Sequence, residues 1–388
     1  MNNNPLLQPF IERFAESDQE IRVFYAPGRV NLIGDHTDHC GGLVFPCAID
    51  RGTTMLIRKR SDNVVKLASM NFELMASLAP DELEHKYGDN WINYVLGVIS
   101  QFRQKGVETT GFECLFSGDI PNGGGLSSSA SLEVVTAFSL NQMFNGGFGE
   151  VELVKMALAA ENDFVGVNCG IMDQYAIAMA QKDHAMMLDC NTLECTQTPL
   201  KLDGYTIVIV NSNQRRDLVD SKYNERFEEC QQATREIKQQ LDVQQLAEVT
   251  IDQLNEHMNV FSSESIAKRA KHVITEHNRV RDAVAALNKN DLDTLGRLMI
   301  ESHKSMSEDF EASTDIIDTL IDISLDTPGV IGARMTGGGF GGCTVTLVAD
   351  SQVTNFIESV GRSYRESCGL TADFYPTKSD NGMREITA

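Results

Sequence analysis

Four segments of this chain concentrate side chains that chemistry could use. Gly123-Gly124-Gly125-Leu126-Ser127-Ser128-Ser129-Ala130 falls between an expected strand and an expected helix. Glycine lets a backbone approach a ligand closely, and a helix N-terminus offers unpaired N–H groups at the positive end of its dipole. Hydroxyls in the first turn can cap the helix or hold a metal. Three glycines and three serines are more than a cap needs, so the segment reads as an anion site. It is not a Walker loop, because G-x-x-x-x-G-K-[ST] does not occur in the chain. Nor is there the D-F-G or H-R-D of a protein kinase. Thr336-Gly337-Gly338-Gly339-Phe340-Gly341-Gly342 is a second glycine-rich stretch. Gly337, Gly339 and Gly342 satisfy G-x-G-x-x-G by letters, but a dinucleotide site needs a helix where a strand is expected here. Alone, it leaves a flexible loop and an active-site clamp equally open.

The third segment, Ala26 to His39, packs Arg29, Asp35, His36, Asp38 and His39 into eleven residues. Carboxylates suit sugar hydroxyls, since each accepts several hydrogen bonds in fixed geometry. A metal held by the two histidines and the carboxylates is a competing reading without an obvious third convergent ligand. A surface loop with capping aspartates is another. In the fourth, Glu161 and Asp173 lie twelve residues apart on consecutive segments. Phosphoryl transfer needs a metal ligand and a group that orients the nucleophile, although carboxylates at this spacing are also ordinary on solvated faces.

Elements must position these groups. Residues 5–17 have the apolar spacing of an amphipathic helix. Residues 21–26 read as a strand running into Pro27-Gly28, and 112–116 as another. Helices are expected over 127–143, 151–165 and 172–181. The apolar run 205–210 suits a buried strand. Residues 220–325 are helical in pattern, and a strand over 343–348 follows the glycine-rich stretch 334–342. A break near residue 200 divides the chain into domains 1–200 and 201–388.

With 388 residues, 42% of them hydrophobic, the chain can bury two cores. A net charge of −22 repels phosphate backbones and anionic lipids, which disfavours nucleic-acid and membrane-surface roles. The nine cysteines form no C-x-x-C pair and suit reduced thiols in a cytoplasmic protein. The N-terminus lacks an apolar signal-peptide core, and no apolar run approaches the roughly 18 residues of a membrane span.

In this order, the four segments resemble the galactokinase branch of the GHMP kinase family. G-R-V-N-L-I-G-D-H-T-D resembles its sugar signature, G-G-G-L-S-S-S-A-S-L-E its phosphate loop, G-I-M-D-Q its catalytic segment and R-M-T-G-G-G-F-G-G-C its third motif. The resemblance runs from about residue 22 to 376. It implies an α/β (α+β) fold of two domains with the active site between them. The first would be like ribosomal S5 domain 2, the second a ferredoxin-like domain. Arg29 and Asp173 would flank the reacting hydroxyl, and Ser129 and Glu161 would hold Mg²⁺. Gly123, Gly124, Gly125, Leu126, Ser127, Ser128 and Ser129 would wrap the ATP phosphates, with Ser69 near the nucleotide. Asp35, His36, Thr37, Asp38, Asp173 and Tyr223 would bind the sugar. The implied reaction is ATP-dependent phosphorylation of galactose at C1 by a cytoplasmic monomer. A related 1-kinase for N-acetylgalactosamine, arabinose or a uronic acid, or a non-catalytic sensor of galactose and ATP, shares these motifs. The intact Gly-Leu-Ser-Ser-Ser and Met-Asp-Gln segments favour an enzyme. Two departures fall on the sugar side. Asp35 replaces the family's usual Glu, and His39-Cys40 stands where Tyr is usual.

Overall fold

The computed structural model describes residues 4–121, 125–214 and 219–387, the side chains of 219–221 excepted. Gly123 and Gly124 of the first glycine-rich segment lie outside the described residues. The chain opens with the helix Leu7–Phe14, which buries Phe10 against Val23, Leu56 and Leu115. A six-stranded sheet follows. Its order is Arg384–Ile386, Ile21–Asn31, Pro46–Lys59, Phe112–Gly118, Val65–Ser69 and Ala76–Leu78. Only the pairing of Val65–Ser69 with Phe112–Gly118 is parallel, and the helix Ile92–Gln104 lies in the connection between them. The helices Ile92–Gln104, Ser128–Met143, Glu150–Ala159 and Met172–Met179 bury their apolar faces in one core with this sheet.

A second, antiparallel sheet has the order Val330–Thr336, Cys343–Ala349, Tyr205–Asn211 and Asp373–Thr377. Helices Asp315–Leu325 and Val353–Cys368 pack on it. Three short strands, Leu43–Val44, His184–Asp189 and Cys195–Pro199, form a third sheet. This mixed α/β architecture is the expected fold class. Among the described residues, no helix is long and apolar enough to cross a membrane.

Several boundaries differ from the sequence expectations, and two matter for the site. The first strand does not stop at Ala26 but continues through Pro27 to Asn31, with a register shift between Pro27 and Gly28. Proline has no N–H to give the ladder, so it sits at the irregularity. The extension carries Arg29 and Asn31 inward. The helix expected over 151–165 leaves the α form at Ala159 and finishes as a π-turn, Ala160–Val165. Gly97 packs closely on this turn, where a side chain would strike the Ala160 Cβ and press on its carbonyl. Such wide turns gather at functional positions, and this one carries Glu161. The long helical region resolves into five helices, of which Val219–Ile237 and Glu264–Asn288 approach the segment 31–40.

Candidate active site

Arg29 organises the centre. Its Nε donates to Asp173 Oδ1 at 2.7 Å and its Nη2 to Asp173 Oδ2 at 2.8 Å. The remaining nitrogen, Nη1, donates to the Gly125 carbonyl at 2.7 Å. Asp173 lies in the first turn of its helix, where the dipole favours a carboxylate, and it also accepts the Ser127 hydroxyl at 2.5 Å. Ser127 has φ +62°, a left-handed conformation uncommon outside glycine. That conformation turns the chain from the glycine loop into the helix beginning at Ser128.

Two residues on, Ser129 lies by Glu161 and favours its charged form. Glu161 also accepts Gln174 Nε2 at 2.7 Å, and Gln174 reaches Glu133 at 3.2 Å. Burial, then the nearby Asp173 charge, raises the pKa of Glu161. Glu133 is raised well above the carboxylate range by burial first and by Glu161 second. Three acidic groups thus crowd one spot beside the expected phosphate site.

The segment 31–38 forms the opposite wall. Asp35 accepts Asn31 Nδ2 at 2.7 Å and Arg334 Nη2 at 2.7 Å. Both members of the Asp35–Arg334 pair are fully buried, and burial raises the Asp35 pKa. His36, in the left-handed region, places its ring 4.4 Å from that of Phe310 and 5.2 Å from that of Tyr223. Burial lowers its pKa well below the ordinary value, so it is neutral. The Asp38 carboxyl is pushed up to about 7 by burial and by the charge of Asp173. Gly170 makes room for that carboxylate, which any side chain there would strike. Thr37 stands apart, its hydroxyl donated within the turn to the carbonyls of Gly34 and Leu43.

Arg29, Asp35, His36, Asp38, Ser127, Ser129, Asp173 and Tyr223 line one cavity of about 240 Å³, closed on one side by Gly337 and Gly338. A side chain at Gly337 would strike the Gly125 carbonyl, and one at Gly338 would press on the Tyr223 ring. Thr336 is stitched to Asn31 by hydrogen bonds of 3.2 and 3.1 Å. The second glycine-rich stretch therefore borders the site rather than looping away. A second cavity, of about 180 Å³, shares Ser128 and Ser129 with the first. Ser69 lines it, together with Phe72, Trp91 and Phe116. Trp91 stacks on Phe72 at 6.4 Å and meets Phe116 edge-on at 5.7 Å.

Comparison with known proteins bears on the family of the whole chain. Residues 8–59 match the galactokinase galactose-binding signature, 93–181 the N-terminal domain of GHMP kinases and 283–366 the C-terminal domain. The chain is 47% identical to a galactokinase of Clostridium acetobutylicum over 94% of each chain. It is 44% identical to that of Bacillus subtilis over 97% of each. The chain belongs to the galactokinase family. The solved Lactococcus lactis galactokinase, complexed with galactose, superposes with TM-score 0.96 at 42% identity, covering 98% of this chain and 99% of that one. A mevalonate kinase shares the fold, with TM-score 0.68 at 19% identity over 92% of this chain. In this galactokinase-type chain the two cavities and their surroundings also include residues that sequence reasoning did not single out. Trp91 and Phe72 wall the second cavity, Arg334 neutralises Asp35, and Glu133 and Gln174 support Glu161. Trp91 is the one tryptophan of the chain, which was the available signal.

Proposed function

We propose that the chain transfers the γ-phosphoryl group of MgATP to the C1 hydroxyl of α-D-galactose, giving galactose 1-phosphate and ADP. The Arg29–Asp173 pair carries this reading, because it lies beside Ser127 and Ser129, where the two cavities adjoin. The sugar occupies the larger cavity against Asp35, His36, Asp38 and Tyr223, with Thr37 shaping the turn that presents them. The nucleotide base lies between Phe72, Trp91 and Ser69, and the backbone around Gly125 to Ser129 receives the phosphates.

In the reaction the C1 oxygen forms a bond to the γ-phosphorus while the bond from that phosphorus to the β–γ bridging oxygen breaks. Asp173 orients the C1 hydroxyl and accepts its proton. Arg29 holds Asp173 in place through two bonds and offsets charge on the moving group. A loose transition state asks little of the nucleophile, so positioning dominates. The residues present also fit a hard divalent cation. Ser129 and Glu161 supply oxygen donors, and the raised pKa values of Glu161 and Glu133 mark a spot short of positive charge. Ser129 and Glu161 would hold Mg²⁺, which when bound supplies charge neutralisation to the phosphates.

We place the domain boundary near residue 200. Nine free cysteines suit the cytoplasm. The test is coupled ADP release with MgATP across galactose, N-acetylgalactosamine, arabinose, glucose and galacturonate, with phosphorus NMR of the product. An anomeric phosphate formed from galactose supports the reading. A product phosphorylated at C6, or no turnover with any sugar, overturns it.

A further inference from the structure

Beside the sugar cavity, but outside it, three soft donors converge. One ring nitrogen of His39, the Cys40 thiol and the Cys230 thiol all lie within 4.8 Å of one another. His39 Nδ1 is 3.3 Å from Cys40 Sγ, and the Cys230 thiol lies within 4.8 Å of both donors. His39 and Cys40 come from the 3₁₀ turn Asp38–Cys40, whereas Cys230 comes from the helix Val219–Ile237. The two elements are already held together where Gln231 Nε2 donates to the His39 carbonyl at 3.3 Å. Both cysteines are buried, and His39 Nε2 is a buried polar atom without a hydrogen-bond partner. The His39 ring as a whole is half-buried, and an enclosed ring nitrogen without a partner calls for an explanation.

We propose that His39, Cys40 and Cys230 form a binding site for a thiophilic d¹⁰ cation, with Zn²⁺ the ion it suits, separate from the Mg²⁺ position at Ser129 and Glu161. Two sulfurs and an imidazole nitrogen match zinc and exclude magnesium, which takes oxygen. Zinc bonds of about 2.3 Å to sulfur and 2.0 Å to nitrogen require tetrahedral donors roughly 3.5–3.8 Å apart. The present spread closes to that with a contraction of about 1 Å. The fourth position is left for water. Because the turn begins at Asp38, the ion ties one wall of the sugar cavity to the helix that carries Tyr223.

The experiment uses the full chain, reduced with a phosphine and stripped of metal by a chelator. Co²⁺ is titrated as a spectroscopic probe, then displaced with Zn²⁺. One equivalent of Co²⁺ should give the intense visible bands of a tetrahedral thiolate site, and Mg²⁺ in excess should not abolish them. Cys230→Ser and Cys40→Ser should each weaken binding at least about 100-fold. Alkylation rates followed by mass spectrometry give an independent reading in the unaltered protein. Zn²⁺ should protect Cys40 and Cys230 together and leave Cys368 unchanged. Octahedral Co²⁺ spectra, or Zn²⁺ uptake that leaves Cys40 and Cys230 unprotected, would overturn the site. None of these readouts depends on the sugar or on turnover, so the result stands or falls apart from the proposed activity.

Discussion

Asp173→Asn is the substitution on which the catalytic reading turns. The wild-type carboxylate receives three donors, Arg29 Nε on Oδ1 and both Arg29 Nη2 and the Ser127 hydroxyl on Oδ2. An amide offers only one oxygen. With its nitrogen at the Oδ2 place it faces the guanidinium Nη2, and with its nitrogen at the Oδ1 place it faces Nε. Either way one charge-assisted bond is lost, worth about 1.5–3 kcal/mol. Arg29 is almost wholly buried and loses its counter-charge, and breaking a buried pair costs about 3–5 kcal/mol. The Asp173 side chain is 28% exposed, so water screens part of this. The expected loss of stability is therefore about 2–3 kcal/mol, short of unfolding an ordinary domain. Losing the positioned acid–base group should slow the chemical step by about 10²- to 10⁴-fold. Steady-state ADP release at saturating MgATP and galactose measures the rate. Thermal unfolding confirms the fold, and Trp91 fluorescence reports nucleotide binding, since this lone tryptophan lines the second cavity. A folded Asp173→Asn protein that binds nucleotide and turns over at near wild-type kcat would refute the assignment.

Glu161→Gln should raise the Mg²⁺ concentration for half-maximal rate, and an unchanged titration would assign Glu161 a purely structural part. Trp91→Ala removes a stacking face worth about 1–3 kcal/mol per base, so KM for ATP should rise roughly 5- to 150-fold with KM for galactose unmoved. In kinetics against pH, kcat/KM for galactose should climb to a plateau above about 7, because the ionised Asp38 accepts sugar hydroxyls best. Asp38→Asn should abolish that acid limb, and a limb that survives belongs to another group. The same proton has a stability sign. Between the ordinary value of 3.8 and about 7, the folded protein keeps a proton that the unfolded chain has released, so this group's contribution falls as pH rises and levels off above 7. Asp35→Glu forces a methylene into the sealed pair with Arg334 and should lower unfolding free energy by about 1–3 kcal/mol, read by denaturant titration.

What could be read from the chain was local. Ser127, Ser129 and Arg29 fall in short runs of unusual composition, Asp173 stood out only through the family resemblance, and the structure brings all four together. Trp91 and Phe72 were silent because their pocket is assembled from separate segments, Phe72 from the loop after Val65–Ser69 and Trp91 from the start of Ile92–Gln104. Arg334 reads as the start of a glycine-rich loop, yet it lies in a strand and meets Asp35 only in three dimensions. Glu133 sits mid-helix among apolar residues, where a buried acid and a solvated one are written with the same letter. The two histidines of the sugar segment were weighed as metal ligands together with carboxylates. Their rings stand 6.0 Å apart, and the donors that join His39 are thiols, one of them nearly two hundred residues away. The stop expected at Pro27 failed because a bulge absorbs the missing N–H.

The strand Arg384–Ile386 pairs with Val23 to Tyr25, so a segment near the start of this sequence is completed by one near its finish. On the ribosome this sets an order of events. While the later residues are being made, the strand Ile21–Asn31 has one flank without its partner, and an open flank of that kind recruits foreign strands. The wait lasts through synthesis of the whole second sheet. A nascent or prematurely ended chain lacking 384–386 would still contain Arg29, Ser129 and Asp173, but with an unprotected rim on its first sheet. Such products are natural clients for chaperones and seeds for aggregation. Completing the last few residues therefore closes the rim of the first sheet.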